Sequence, residues 1–227
     1  MKEFHHFPLT YSIIFLNTFF YFLLVLFGGK FIEINLNTLV DFGALYGPLV
    51  VFKGEWWRLL SAMFLHGNIT HILMNMASLY IIGRSMEHYF SKFFYIIIYL
   101  FSGLIGALTS LYMHPQSVGI GASGAIFGVF GALGGFFLVY WNQVTSHSRE
   151  IIKNFSVMLG LNFILGLSIA SIDMSAHIGG LIVGFISGFV LTKYPHTIIP
   201  FSFILGTIFI FGTQYLYAYY LQIFMSF

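Results

Sequence analysis

The stretch from Gly119 to Gly135, GIGASGAIFGVFGALGG, joins a single serine to a regular series of glycines in a strongly apolar segment. Five of these glycines recur at spacings of three, four, three and four residues, which places them on one face of a helix. They are Gly121, Gly124, Gly128, Gly131 and Gly135. Small residues in such a stripe let two membrane helices approach closely. The stretch therefore predicts a membrane-spanning helix that packs tightly against a neighbour and carries Ser123 at its start.

The composition of the whole chain agrees with a membrane location for this helix. Of the 227 residues, 59% are hydrophobic and only 7% are charged, whereas a soluble domain carries about 25% charged residues. The net charge of +2 is too small to indicate a nucleic-acid partner. The absence of cysteine excludes disulfides, thiolate metal sites and a cysteine nucleophile. We expect an all-α integral membrane protein that has the lipid bilayer as its surroundings.

Seven stretches have the roughly 20 mostly apolar residues that a bilayer-spanning helix needs. They are Leu9–Phe27, Asn68–Met86, Phe93–Met113, Gly121–Tyr140, Ile151–Ala170, Met174–Thr192 and Ile199–Gln222. The first lacks a small-residue cleavage site after it, so we interpret it as a retained span. The long loop 28–67 contains aromatic residues typical of the membrane interface, and we expect it to hold short helices that are partly embedded in the membrane.

Basic residues predict the orientation of these spans, because loops on the cytoplasmic side are enriched in Lys and Arg. With the N-terminus inside, the inner segments hold Lys2, Arg84, Lys92, Arg149, Lys153 and Lys193. The outer segments hold Lys30, Lys53 and Arg58, all in the long loop. We therefore predict a cytoplasmic N-terminus and an external C-terminus, and a chain of this compact form suits a bacterial cell membrane.

Polar side chains of three different spans are predicted to lie at one depth. Spans two, four and six all begin on the outer side, and His71, Asn75, Ser123 and His177 lie close to those beginnings. Polar groups within a span usually face the bundle interior or a water-filled cavity. We expect the four side chains to form one cluster near the outer surface.

A second glycine stripe indicates which of these side chains meet. Gly180, Gly184 and Gly188 recur every four residues in span six, and His177 continues the stripe towards the outer end. If this stripe packs against the stripe of span four, Ser123 and His177 become neighbours. A serine within hydrogen-bond reach of a histidine is the arrangement of an activated nucleophile.

The surroundings of Ser123 fit acyl-transfer chemistry. The free N–H groups at a helix N-terminus favour negative charge, such as the oxyanion of a tetrahedral intermediate. His71 and Asn75 are four residues apart, share one helical face and can both donate hydrogen bonds to that oxyanion.

Taken singly, each feature has a simpler explanation. Ser123 could be an ordinary helix cap, the glycines could serve packing alone, and His71, Asn75 and His177 could be hydrogen-bonding links between helices. Asp173 lies four residues before His177 and could orient it, but we favour a role as the cap of span six. The shared depth and the shared interface favour a site.

Other chemistries fit less well. The chain has no His-Glu-x-x-His pattern for a zinc protease. No aspartate lies within a span, so an aspartyl dyad is absent. A transporter would more typically carry charges at mid-bilayer depth.

At these residues the sequence resembles the rhomboid family of intramembrane serine proteases. Five motifs of that family occur in the family's order along most of the chain. They are Trp57-Arg58; His66, His71 and Asn75 in HGNITHILMN; Gly83 and Glu87; Gly121, Ser123 and Gly124 in GASG; and Ala176, His177, Gly180 and Gly184 in AHIGGLIVG.

The resemblance implies a helical bundle with a six-span catalytic core, residues 1–195, and an additional C-terminal span, residues 196–227. It implies Ser123 as nucleophile and His177 as general base, without a cofactor or a metal. Asn75, His71 and the Ser123 N–H would bind the oxyanion. Phe127 stands where some members carry a tyrosine beneath the histidine.

The implied substrates are single-span membrane proteins, which would be cut near the outer end of the span. A rival interpretation is a non-catalytic relative that binds and escorts membrane segments, and such a relative would lack the serine or the histidine.

Overall fold

The computed structural model describes residues 6–28, 31–143 and 173–225, together with residues 149, 153, 156, 157 and 160. Long helices dominate these ranges. They are α1 (Pro8–Gly28), α5 (Ile69–Tyr89), α6 (Lys92–Met113), α7 (Ser123–Val139), α8 (Met174–Lys193) and α9 (Ile198–Met225). Each coincides with a predicted span to within a few residues, which confirms six of the seven spans as helices. The predicted fifth span, Ile151–Ala170, lies outside the described residues apart from isolated positions.

Four of the described helical segments are long and apolar enough to cross a membrane, namely Pro8–Gly28, Lys92–Met113, Met174–Lys193 and Pro195–Met225. Helix α7 has 17 residues and is shorter than these. Helix α5 has 21 residues, but polar side chains such as His71 and Asn75 lower its hydropathy. An all-α membrane protein fits this set of helices, as the composition predicts.

The predicted short helices of the long loop are present. They are α2 (Leu36–Asp41), α3 (Gly47–Phe52) and α4 (Arg58–Ser61), followed by a 3-10 turn at Ala62–Phe64. The loop also contains a strand that the sequence analysis did not predict. Strand β1 (Leu45–Tyr46) pairs antiparallel with β2 (Val118–Gly119), so that Leu45 faces Gly119. This ladder ties the loop to the segment that leads into α7.

Side-chain caps mark where several of the helices begin. The Asn68 side chain accepts a hydrogen bond from the His71 N–H at 2.8 Å, and the Ser91 hydroxyl accepts one from the Phe94 N–H at 3.2 Å. Each cap satisfies one of the first-turn N–H groups that lack a partner within their own helix. The caps therefore set the beginnings of α5 and α6.

The glycine stripes of α7 and α8 face each other, as predicted from their spacing. A Cβ atom placed on Gly180 would lie 2.0 Å from the Gly124 carbonyl oxygen. A Cβ on Gly184 would lie 1.8 Å from the Gly128 carbonyl oxygen. Only glycine permits backbones to pass at this distance. The close contact holds the N-terminal ends of α7 and α8 side by side.

Polar contacts join the C-terminal end of α5 to the start of α1. Glu87, at the end of α5, accepts hydrogen bonds from the backbone N–H groups of Leu9 and Thr10 at 3.2 and 2.6 Å. It thus caps α1 from a neighbouring helix. Gly83 leaves room for this junction, because a Cβ there would meet Thr10 at 2.8 Å and the Tyr95 hydroxyl at 2.5 Å.

Candidate active site

Ser123 and His177 meet at the adjoining N-terminal ends of α7 and α8. The Ser123 Oγ lies 2.7 Å from the His177 Nε2, a hydrogen-bond distance, although the two residues are 54 positions apart in the chain. Ser123 is the first residue of α7, and His177 is the fourth residue of α8. The close packing of the glycine stripes sets this distance, because it leaves no room for other side chains between the two backbones. The pair has the arrangement that lets an imidazole withdraw the serine proton.

The structure excludes the simpler interpretation of Ser123 as a helix cap. The cap position of α7 is Ala122, which offers no side-chain hydrogen bond to the helix. Ser123 lies one residue later, inside the helix, with its hydroxyl at His177. The first-turn N–H groups of α7 therefore receive no side-chain cap among the described residues. A helix end of this kind attracts negative charge.

Gly121 does not belong to the helical stripe, which corrects the sequence-based expectation. It lies before α7 with a φ of +114°, a conformation that glycine adopts without strain. Its N–H donates to the Ala62 carbonyl at 2.9 Å. A Cβ on Gly121 would lie 2.7 Å from the His71 Nε2. Gly121 thus forms a turn that brings the His71 imidazole beside the serine, while the stripe proper begins at Gly124.

His71 and Asn75 lie on the face of α5 that turns towards this end of the bundle. Asn75 is buried, and its Nδ2 donates to the His71 carbonyl at 2.9 Å. The amide keeps a second N–H for another acceptor. The ring of His71 contacts the ring of His66, with centroids 4.9 Å apart. His71 therefore lies beside the turn that leads into Ser123, and the Asn75 amide lies one turn further along the same face of α5.

His66 supports His71 from the loop side. The side chain of His66 is fully buried. Burial, with a smaller contribution from the neighbouring His71, lowers the pKa of the His66 imidazole to about 3. His66 is therefore neutral at physiological pH and contacts His71 without adding a charge to the site.

His177 is held by an aromatic ring. The ring of Phe127, one turn below Ser123, stacks on the imidazole with a centroid distance of 4.4 Å and an interplanar angle of 6°. The Nδ1 of His177 is buried and has no hydrogen-bond partner among the described residues. Asp173 caps α8 by accepting the Ser175 N–H at 2.9 Å, which confirms the interpretation of Asp173 as a cap. The described residues thus form a pair of catalytic type, without a carboxylate on His177.

The remaining motif residues lie away from the pair. Arg58 is buried in the long loop, where it donates to the carbonyls of Val40 and Ala44 at 2.6 and 3.0 Å and pairs with Glu55. Trp57 lies against the Arg58 guanidinium, 4.8 Å from the ring centroid. The Trp-Arg motif therefore stabilises the long loop, and Glu87 caps α1. Neither the motif nor Glu87 contacts Ser123.

Sequence reasoning missed the backbone groups that complete the site. The Ala62 carbonyl and strand β1 both bind the segment before Ser123. These contacts use backbone atoms, which every residue has, so the sequence does not reveal them. The positive φ of Gly121 is the only part that had a signal, since glycine is the residue that such a turn requires. Within the described ranges, no three His, Asp or Glu side chains group as metal ligands.

The fold and the site define a multi-pass helical membrane protein with a serine–histidine pair between two helix ends. The family profile described as the Rhomboid domain matches residues 53–194, which include every residue of the site. This chain belongs to the rhomboid family.

Several curated relatives are similar to this chain. Rhomboid protease GluP of Bacillus subtilis (strain 168) is 39% identical over 176 residues, which are 78% of this chain and 33% of the relative. RHOMBOID-like protein 2 of Arabidopsis thaliana is 40% identical over 159 residues, 70% of this chain and 50% of the relative. RHOMBOID-like protein 4 of Arabidopsis thaliana is 38% identical over 160 residues, which are 70% of this chain and 40% of the relative. This chain thus spans about a third to a half of the length of these relatives.

Proposed function

We propose that this protein is an intramembrane serine endopeptidase that cleaves the transmembrane segments of single-span membrane proteins near the outer membrane face. The observation that carries the proposal is the 2.7 Å separation of the Ser123 Oγ and the His177 Nε2 within a bundle of apolar helices. Membership of a family with named protease relatives supports the same reaction. No cofactor or metal takes part.

Each residue of the cluster has a role in the proposed mechanism. His177 Nε2 accepts the Ser123 proton while the Oγ attacks a peptide carbonyl carbon. The resulting oxyanion accepts hydrogen bonds from the Ser123 N–H, Asn75 and His71. The C–N bond then breaks, and His177 gives its proton to the leaving amine. Water attacks the acyl-enzyme with His177 again as base, which releases the new carboxyl end and restores the serine.

The proposal includes an organisation of the chain, which rests on the family resemblance and on the distribution of Lys and Arg. Residues 1–195 form the catalytic core and residues 196–227 add a C-terminal helix to it. The N-terminus is cytoplasmic, the C-terminus is outside, and the cell membrane of a bacterium is the location that we propose. This orientation directs the Ser123 end of the bundle outward, so water reaches it from that side.

The experiment is covalent labelling of the detergent-solubilised full chain with a fluorophosphonate probe, followed by mass spectrometry of the labelled peptide. We expect label on Ser123 in the wild type and none in Ser123→Ala or His177→Ala. Ser117→Ala and His196→Ala change exposed residues of the same types and serve as matched controls that label like the wild type. A folded wild type that takes no label contradicts the proposal and favours a non-catalytic protein that binds membrane segments.

A further inference from the structure

Helix α9 contacts the bundle through few residues, and Tyr220 is the most deeply buried of them. Its side chain has no exposed surface, whereas Tyr217, on the same helix, is 48% exposed. Across the helix, the buried residues are Phe201, Leu205, Leu216 and Tyr220. Leu216 and Tyr220 join the hydrophobic cluster that contains Leu45 of β1. The outer end of α9 is therefore attached to the loop region that leads to the site.

The Tyr220 hydroxyl shares its proton between two backbone carbonyls, one in the last turn of α6 and one in the segment between α6 and β2. It lies 3.0 Å from the Leu111 oxygen and 3.0 Å from the Pro115 oxygen, with its single proton directed to these acceptors. In a continuing helix the Leu111 carbonyl would accept from residue 115, but a proline has no N–H to offer. Tyr220 supplies the missing donor. Without it, a buried carbonyl loses its partner, which carries a desolvation penalty.

The same hydroxyl lies against Gly47, which directly follows β1. A Cβ on Gly47 would be 2.0 Å from the Tyr220 oxygen and 2.2 Å from the Pro115 oxygen. The Phe52 ring at the end of α3 contacts the Tyr220 ring edge-on, with centroids 6.0 Å apart. Tyr220 therefore joins three backbone segments, namely the end of α6, the start of α3 and the chain before β2.

These segments lead directly to the nucleophile. Gly47 follows β1, β1 pairs with β2, and β2 ends two residues before Gly121. Gly121 in turn forms the turn into Ser123, with its N–H on the Ala62 carbonyl. A shift of the β1–β2 ladder would thus move the turn on which the serine is placed.

We infer that Tyr220 is a positioning residue, through which the C-terminal helix holds the β1–β2 ladder and the Gly121 turn and thereby aligns Ser123 with His177. The catalytic consequence rests on the proposed function, but the structural anchor does not. Small misplacements of reacting groups lower the rate of chemistry more than they lower binding. Loss of the hydroxyl should therefore change the rate of serine modification and leave probe binding nearly unchanged.

The first arm of the test measures the inactivation kinetics of Ser123 with the fluorophosphonate probe on the full chain. We expect Tyr220→Phe, which removes only the hydroxyl, to lower kinact about 3- to 10-fold with KI unchanged. Tyr217→Phe removes the same atom from an exposed position on the same helix and should leave both constants at wild-type values. Gly47→Ala disturbs the anchor from its other side and should also lower kinact.

The second arm measures hydrogen–deuterium exchange of the segment 116–122 and does not depend on activity. We expect faster exchange there in Tyr220→Phe than in the wild type or Tyr217→Phe, at equal melting temperature. Unchanged exchange, or a kinact that stays at the wild-type value, overturns the inference. If the wild type takes no label, the proposed function fails, and the exchange data alone decide whether Tyr220 anchors the segment.

Discussion

At the scale of single residues, the site depends on an aromatic ring where many serine hydrolases use a carboxylate. The Phe127 ring lies parallel to the His177 imidazole at 4.4 Å, which restricts rotation of the imidazole by packing. Asp173 is engaged as the cap of α8. His177 is thus directed at Ser123 by the shape of its surroundings, and the ring needs no hydroxyl for that role.

Asn75 offers a direct test of the proposed oxyanion site. We expect Asn75→Ala to slow fluorophosphonate labelling of Ser123 by up to about 10²–10³-fold, the loss that follows removal of one oxyanion donor in soluble serine proteases. Met74→Ala, a change at an exposed neighbour on α5, is the control. An unchanged labelling rate in Asn75→Ala would remove Asn75 from this role.

His66 predicts a loss of stability in acid. In the unfolded chain the pKa of the His66 imidazole is about 6.5, whereas burial in the folded protein lowers this pKa to about 3. Between these values the unfolded state holds more protons, so stability falls as the pH is lowered, by up to about 1.4 kcal/mol per pH unit. We expect the melting temperature of His66→Gln to fall less between pH 7 and pH 4.5 than that of the wild type. His196→Gln, at an exposed histidine, should behave like the wild type, and equal acid sensitivity of His66→Gln would contradict the prediction.

At the scale of helices, the contact between α7 and α8 is a contact of backbones. Gly188 continues the series, since a Cβ there would lie 2.1 Å from the Ala132 carbonyl oxygen. Such an interface gains its stability from close van der Waals packing, because lipid provides no hydrophobic driving force between helices. The serine–histidine pair at the N-terminal ends of α7 and α8 depends on this contact, since any separation of the helices moves His177 away from Ser123.

Gly184→Val tests this dependence. The new side chain would meet the Gly128 backbone, whose carbonyl oxygen is 1.8 Å from the added Cβ. We expect destabilisation of about 3 kcal/mol and loss of Ser123 labelling, measured by thermal unfolding and by probe labelling in detergent. Gly206→Val is the matched control, because a Cβ on Gly206 of α9 meets no atom within 4 Å. A stable, fully labelled Gly184→Val protein would disprove the packing argument.

At the scale of the whole molecule, the proposed orientation can be tested cleanly because the chain has no cysteine. Lys53→Cys and Lys193→Cys each introduce one thiol at an exposed position. In intact cells we expect a membrane-impermeant maleimide to label Lys53→Cys, and to label Lys193→Cys only after the membrane is opened. The unsubstituted chain is the control. The reverse pattern would contradict the proposed orientation, which rests on the enrichment of Lys and Arg in cytoplasmic loops.

The sequence alone determined the class of the protein, the positions of the described long helices and the residues that form the serine–histidine pair. These are signals of local composition and period: a run of apolar residues predicts a span wherever it occurs, and a glycine stripe marks a close-packing face. The two stripes even indicated that Ser123 and His177 would be neighbours.

Only the tertiary structure decided how the site is held. Three contacts join segments that are distant in the chain: the hydrogen bond from the Gly121 N–H to the Ala62 carbonyl, the β1–β2 ladder and the attachment of α9 through Tyr220. Each uses backbone groups, which every residue carries, so residue identity does not reveal the partner. Such contacts arise only when the helices have packed and unpaired N–H and carbonyl groups must find partners in a buried interior.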